Sequence, residues 1–337
     1  MSETKGLNPI IVSLCRFAGI SSVLLAIIFI INNFITYIGG APGVNATLGA
    51  VGLFGFTPPK GDVSGGMMTM GWIQVLMNIG AVAFAAYYTM VRGSLTIDAD
   101  RMDKLSSFII RAAFWSVLIV GVADAVLSFL RVEDFHVVLF GKEMATNIGL
   151  SRWRGAYIHI PLMILAVFIA FRDKSVSVVW LITLVVIAEL FIVLARFIFA
   201  YEQTFMGDLV RFWYASLFLF ASAYTLKEEG HVRVDVIFAG FQERTKAWVN
   251  ATGSVAFGMP LCWLVLTLGL SGKASLINSP MLNFETSMSG FGMYVKYLMA
   301  AFLLVFALSM LIQFTSYFFS ALAKMNNEVM PTEEKGA

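Results

Sequence analysis

Eight long apolar stretches constrain this chain more than any other feature. A helix needs about 20 predominantly apolar residues to cross the hydrocarbon core of a bilayer. The sequence offers that length, or nearly that length, at 10–38, 71–91, 106–130, 155–171, 176–199, 206–226, 247–270 and 293–322. The pattern predicts an all-α integral membrane protein with about eight transmembrane helices.

Composition supports a lipid environment and excludes several classes of protein. Hydrophobic residues make up 59% of the chain and charged residues only 13%, against about 45–50% and about 25% in soluble domains. A globule of this size has too little interior to hide that much apolar surface from water. We therefore exclude a disordered chain, a nucleic-acid binder and an ordinary soluble enzyme.

The positive charges indicate an orientation. With the N-terminus in the cytoplasm, most of the 23 Lys and Arg residues fall in cytoplasmic segments. The positive-inside rule then predicts that both termini are cytoplasmic. We expect the outside segment 131–154 to lie folded at the membrane surface. The cytoplasmic segment 227–246 begins a run in which Ile237, Phe241 and Trp248 share one helical face, which predicts a short interfacial amphipathic helix.

Charges inside the apolar stretches are the first candidate functional residues, because each is costly in lipid. Asp124 and Glu189 lie within the third and fifth stretches, and Arg196 follows Glu189 by two helical turns. Asp208 and Arg211 stand three residues apart at the start of the sixth stretch and can face the same neighbour. An ion or substrate path would explain such charges, and so would ion pairing between helices. Pairing is favoured, because only Asp124 and Glu189 are deep enough to line a path.

We expect no cofactor, no metal site and no enzymatic activity. The three histidines, His136, His159 and His231, are scattered, and His159 stands alone in its stretch, whereas a haem-binding bundle needs facing axial pairs. Cys15 and Cys262 are far apart in sequence and read as small buried hydrophobes. The sequence contains no phosphate-binding loop, dinucleotide fingerprint or nucleophile elbow.

The second half of the sequence resembles a known family over about 176–325. The stretch GDLVRFWYASLFLFASAYTLKEEGHVRVDV at 207–236 follows a helix that ends in Arg-Phe, and its most specific element is Gly-His-x-Arg-x-Asp just after a helix. These residues resemble the small permease subunit, of the DctQ type, of tripartite ATP-independent periplasmic (TRAP) transporters. The matching positions are Arg196, Phe197, Asp208, Arg211, Gly230, His231, Arg233, Asp235, Glu285 and Ser287.

The chain also departs from that family. Members often carry two adjacent acids where this chain has Gly207 and Asp208, and many have a proline near the start of the last helix, where this chain has YLM at 297–299. The usual small permease has four helices, whereas residues 1–172 here add four more. We therefore divide the chain into an N-terminal four-helix extension at 1–172, a DctQ-like four-helix module at 173–325 and a polar tail at 326–337.

The resemblance implies partners and a location. A separate large permease, of the DctM type, would carry substrate and sodium, and a periplasmic solute-binding protein, of the DctP type, would capture the solute. The small subunit would support the large one as a scaffold in the bacterial inner membrane, during sodium-driven uptake of an organic acid. The residues themselves leave open a self-sufficient eight-helix secondary transporter or channel, which would need a polar cavity at the midplane.

The resemblance also suggests roles for individual residues. Asp208 and Arg211 would fix the second family helix by pairing or by hydrogen bonds across helices. His231, Arg233 and Asp235 would tie the cytoplasmic loop to the amphipathic helix or to membrane lipid headgroups. Simple capping of the loop is the alternative for these three.

Overall fold

The computed structural model describes residues 6–91, 93–175, 178–227, 236–287 and 292–328, and this part of the chain contains helices but no β-strand. The α-helices are α1 Pro9–Tyr37, α2 Val44–Ala50, α3 Gly65–Met90, α4 Leu95–Val132, α5 Phe135–Ile148, α6 Ser151–Arg154, α7 Ile160–Arg172, α8 Val178–Phe199, α9 Thr204–Lys227, α10 Val236–Ala239, α11 Glu243–Gly253, α12 Met259–Gly269, α13 Asn278–Asn283 and α14 Lys296–Met325. The predicted all-α class is confirmed.

Eight helical segments among the described residues are long and apolar enough to cross a membrane. They are Pro9–Tyr37, Gly65–Met90, Leu95–Val132, Ser151–Arg172, Val179–Phe199, Thr204–Leu226, Glu243–Gly269 and Lys296–Met325. Each overlaps one predicted stretch, so the predicted number of spans is confirmed. Some helices extend beyond the predicted apolar stretch into polar residues, because the backbone hydrogen bonds of a helix form there as well. The cytoplasmic placement of both termini stays a prediction.

The chain forms two compact units. Unit 1 consists of residues 1–104, 232–273 and 310–337, and unit 2 consists of residues 105–231 and 274–309. Each unit therefore combines segments from both halves of the sequence. The division at residue 172, which was drawn from the family resemblance, stays a prediction.

Unit 1 is organised around α1, which packs along α3 and touches α12. Gly19 allows α14 to come close, since a Cβ at this position would lie 2.7 Å from the Phe319 ring. Toward the other end of α1, the Asn33 side-chain amide donates to the carbonyl of Leu270 at 2.9 Å. Close packing at one end and a buried hydrogen bond at the other hold N-terminal and C-terminal segments together.

A buried ion pair that the sequence did not single out joins α1 to the first turns of α4. Arg16 Nε donates to Asp98 Oδ2 at 2.8 Å, and both side chains are buried. The Tyr88 hydroxyl donates to the second carboxylate oxygen of Asp98 at 2.6 Å. Both oxygens of this acid are therefore occupied within unit 1.

Unit 2 is built on the hairpin of α8 and α9 and on the middle of α4. Phe212 and Phe220 of α9 pack on Phe302 of α14 with ring centroids 5.1 and 5.0 Å apart. The indole nitrogen of Trp213 donates to the carbonyl of Val117 at 3.2 Å. Large aromatic side chains thus form the core of this unit, and the polar edge of the indole finds a partner, as buried tryptophans usually do.

Two π-helical turns interrupt the fourth and seventh spans. They cover Gly155–His159 and Ser254–Gly258, and each ends two residues before a proline, Pro161 or Pro260. A proline cannot donate to the carbonyl four residues earlier, and its ring clashes with that carbonyl in a regular α-helix. A wider turn relieves the clash, and single π-turns of this kind frequently occur at functional sites.

The two predicted surface segments are only partly helical among the described residues, since 133–134, 149–150 and 240–242 lie outside helices; Ile237, Phe241 and Trp248 therefore do not share one continuous helix as predicted. The first contains α5, and its Glu133 accepts a hydrogen bond from the Tyr201 hydroxyl at 2.7 Å. Burial, together with this bond to Glu133, raises the pKa of Tyr201 to about 12. In the second segment α10 is short, residues 228–235 lie outside the described part, and Glu243 begins a helix that continues into the seventh span. The contact of either segment with the membrane surface stays a prediction.

Candidate functional site

Asp124 of α4 is the centre of a buried polar cluster in unit 2. Its Oδ1 accepts a hydrogen bond from Arg154 Nη1 at 2.8 Å and lies 3.0 Å from His159 Nε2. Its Oδ2 accepts from the backbone N–H of Tyr294 at 2.7 Å. The side chains of Asp124, Arg154 and His159 are each 0% exposed. Both carboxylate oxygens of Asp124 therefore have partners within the chain, and the side chain is fully buried.

Arg154 is oriented by several acceptors. Its Nη1 also donates to Ser128 Oγ at 3.2 Å, and its Nε donates to the carbonyl of Ile148 at 3.1 Å. The guanidinium lies over the Tyr294 ring, 4.3 Å from the ring centroid. Among the described residues only Nη2 of this group lacks a hydrogen-bond partner. A planar cation held this way supplies a fixed positive charge beside Asp124.

His159 and Tyr297 extend the cluster to α14. The His159 Nδ1 and the Tyr297 hydroxyl are 2.8 Å apart, and the two rings are stacked. With its proton on Nε2, the imidazole would donate to Asp124 and accept from Tyr297, so that both ring nitrogens would have a partner. These contacts give His159 two polar partners, neither of which is a histidine.

The segment just before α14 is held by two carboxylates from different helices. Asp208 Oδ2 accepts from the backbone N–H of Met293 at 3.0 Å and from the Ser287 hydroxyl at 3.0 Å. Asp124 accepts from the next N–H along the chain, that of Tyr294. Residues 293–295, predicted as the start of the last span, are not helical. Buried N–H groups without a helical acceptor need another partner, and the two aspartates supply it.

Arg131 contacts the same segment from the end of α4. Its Nη2 donates to the carbonyl of Gly292 at 3.0 Å, and its Nη1 donates to the Tyr294 hydroxyl. The Tyr294 hydroxyl in turn donates to the carbonyl of Gly149 at 2.9 Å. We name this whole arrangement the segment clamp and define it as Asp124, Arg131, Arg154, His159, Asp208, Ser287, Tyr294 and Tyr297.

Arg211 and Glu285 flank the segment clamp. Arg211 Nη1 lies 3.4 Å from Asp208 Oδ1, but its side chain is 74% exposed. Glu285 Oε1 accepts from Lys296 Nζ at 2.5 Å, and the backbone carbonyl of Glu285 accepts from the N–H of Tyr297 at 3.1 Å. These contacts add to the anchoring of residues 285–297, although exposed pairs stabilise little by themselves.

The remaining predicted residues lie elsewhere. Glu189 is exposed on α8, and it forms no ion pair or side-chain hydrogen bond within the described part of the chain. Arg196 pairs with Glu202 at 3.3 Å, and both side chains are exposed, so the two-turn spacing between Glu189 and Arg196 does not produce an ion pair. The predicted residues Gly230, His231, Arg233 and Asp235 lie outside the described part of the chain.

Sequence reasoning missed Arg131, Arg154, His159, Tyr294 and Tyr297. The two arginines stand at the ends of the predicted outside segment 131–154, and nothing local marks them as buried. A signal was present at the fourth span, where Arg154 and His159 stand beside Gly155 and before Pro161. Across the described residues, no three His, Cys, Asp or Glu side chains are grouped so that they could share a metal ion.

The fold and the segment clamp define a multi-pass membrane protein whose buried charges are paired with groups of the same chain. Residues 182–323 match the family described as tripartite ATP-independent periplasmic transporters, DctQ component. The resemblance inferred from the sequence is thus confirmed over these residues. No curated protein and no solved structure matches the chain.

Proposed function

We propose that this chain is a scaffold for a separate large permease of the DctM type, in the inner membrane of a bacterium. A periplasmic solute-binding protein of the DctP type would deliver an organic acid, and a sodium gradient would drive its uptake through the large subunit. The observation that carries the proposal is the match of residues 182–323 to the DctQ component, because a component of a tripartite system works with other components.

The geometry of the charges supports a scaffold over a transport path. A travelling cation needs acceptor oxygens that it can reach and leave again. Asp124 and Asp208 instead hold backbone and side-chain donors of their own chain, and both are buried. The carboxylates of the segment clamp therefore fix a chain segment, which is what a rigid support for another subunit requires.

Reconstitution separates this function from its alternative. Proteoliposomes would contain this chain alone, the large permease alone, or both, with the binding protein outside and an inward sodium gradient. Uptake would be measured with a panel of labelled mono- and dicarboxylic acids. We expect uptake only when both membrane subunits and the binding protein are present. Sodium-driven uptake by this chain alone would contradict the scaffold role and favour a self-sufficient eight-helix transporter or channel.

A further inference from the structure

Glu189 is an exposed carboxyl in the middle of a membrane span. It belongs to the span Val179–Phe199, with about ten residues, or about 15 Å of helix rise, on either side. Its side chain is exposed, and this span has the smallest buried share of the eight. A carboxyl at this depth therefore faces either lipid or another protein.

The chain itself does not satisfy this carboxyl within its described part. Arg196, two turns further along α8, is paired with Glu202. The neighbouring helix α9 carries Arg211, and that guanidinium lies against Asp208. Facing hydrocarbon, Glu189 would have neither a counter-charge nor a hydrogen-bond donor, and ionisable groups in spans are usually directed to protein or to water-filled cavities for this reason.

The residues around Glu189 form a stripe suited to helix packing. Ile182, Val186, Glu189, Val193 and Arg196 follow one another at intervals of four, three, four and three residues, and all are exposed. This is the heptad spacing with which helices pack at a shallow crossing angle. We call these five residues the α8 stripe.

We propose that the α8 stripe is the docking surface for a transmembrane helix of the large permease, and that this helix presents a basic or amide side chain to Glu189. The inference rests on the proposed function, because it assumes that the large subunit is the partner. The stripe lies at 182–196, within the part of the chain that matches the DctQ component. A single polar group inside an apolar seam fixes register and partner choice, as a buried polar residue does in coiled coils.

A second copy of this chain fits the α8 stripe poorly. In a two-fold dimer with its axis along the membrane normal, the same patch of each copy meets the other at the same depth. Glu189 would then face Glu189, and two carboxylates repel each other and offer each other no hydrogen-bond donor. A different chain that supplies a donor at this depth avoids the conflict.

Site-specific photo-crosslinking tests the location. A photoreactive phenylalanine would replace Val186 or Val193 in the full chain, co-expressed with the large permease. Ile187 and Leu194 are matched controls, because each is the next residue along the same helix, about 100° around it. Their exposed fractions, 54% and 44%, are close to the 58% and 46% of the test residues. We expect crosslinks to the large permease from 186 and 193, at least fivefold stronger than from 187 and 194.

Substitution of Glu189 tests the polar contact. Glu189→Gln keeps hydrogen bonding but removes the charge, so it should retain more of the co-purifying large permease than Glu189→Leu. Glu189→Leu should lower the amount of co-purifying large permease at least threefold, and Glu189→Lys at least tenfold, since the new cation would meet the partner's basic group or amide donor. Each variant alone should give an unchanged gel-filtration profile, because Glu189 makes no contact on which the described fold depends.

The outcomes separate this inference from the proposed function. If wild-type chain and large permease form no complex, the proposed function is wrong. If they form a complex but 186 and 193 crosslink only to lipid or to a second copy, the docking surface is wrong and the scaffold role stands. Normal co-purification of Glu189→Leu and Glu189→Lys would likewise overturn the assigned role of Glu189.

Discussion

Asp124 is the residue on which most of the segment clamp converges. It accepts from Arg154, lies beside His159, and caps the N–H of Tyr294. Burying two charged groups away from water costs several kcal/mol per ion. Short contacts between the two charges and additional hydrogen bonds must offset that cost. Here both carboxylate oxygens are used, so the acid links α4, the fourth span and the segment before α14.

Removing the charge of Asp124 should destabilise the chain strongly. Asp124→Asn leaves the Arg154 guanidinium buried without a counter-charge, and breaking such a pair costs about 3–5 kcal/mol. Thermal unfolding of the purified chain in detergent, followed by tryptophan fluorescence, measures the loss. The double variant Asp124→Asn/Arg154→Gln should lose much less than the two single variants together, because the uncompensated charge is gone.

An exposed acid provides the control for that experiment. Glu189→Gln removes the same kind of charge from a side chain without a described partner, so the unfolding midpoint of the chain alone should stay within about 1 °C, in line with the small effect of most exposed substitutions. Equal midpoints for Asp124→Asn and Glu189→Gln would contradict the structural role of the buried pair.

At the residue scale the sequence identified acids better than it identified their partners. Asp124 and Asp208 stand out locally, because an acid within an apolar stretch is unusual. Arg154 and Tyr294 gain their importance only when segments 30 and 170 residues away from Asp124 are brought to it. That information resides in tertiary packing, which local periodicity does not contain.

At the scale of elements, the π-turn at Gly155–His159 explains how one span contributes two groups to Asp124. Residues five apart point about 140° away from each other in a regular α-helix. The wider turn brings Arg154 and His159 closer to the same face, and the N–H of Ile160 bonds to the carbonyl of Gly155 accordingly. The sequence predicts a helix here, but the direction of the two side chains depends on the turn type.

Gly155 should be intolerant of even one methyl group. A Cβ at this position would lie 2.4 Å from the Phe284 ring and 3.1 Å from the Tyr297 hydroxyl. Gly155→Ala should therefore destabilise the chain by about 1–3 kcal/mol, the usual cost of overpacking. Gly207→Ala is the matched control, because nothing lies within 4 Å of a Cβ there. Gly207→Ala should be neutral or slightly stabilising in its helix. Thermal unfolding of both variants measures the difference. An unfolding midpoint for Gly155→Ala as high as that for Gly207→Ala would contradict the close packing at Gly155.

At the scale of the whole molecule, the sequence predicted the number of spans but not which of them associate. Long apolar stretches are a property of each helix alone, and the bilayer sets their length. Association depends on complementary small residues, rings and buried polar groups that are distant in sequence. Gly19 against Phe319 is one such contact, and it joins the first span to the last within unit 1.

The same contacts predict what happens when the chain is cut between residues 172 and 173. Within unit 1 the cut separates Asn33 from Leu270, and within unit 2 it separates Asp124 from Tyr294. Fragment 173–337 expressed alone should aggregate or elute as a broad peak in gel filtration, because buried donors and apolar faces lose their partners.

Co-expression with fragment 1–172 should restore a one-to-one complex that elutes like the intact chain. An Asp124→Asn substitution in fragment 1–172 should weaken that recovery at least threefold, since Asp124 is the main polar link across the cut in unit 2. A monodisperse fragment 173–337 with the unfolding midpoint of the intact chain would instead establish that the DctQ-like module folds independently. The N-terminal four helices would then be an attached extension and not a part of the same two units.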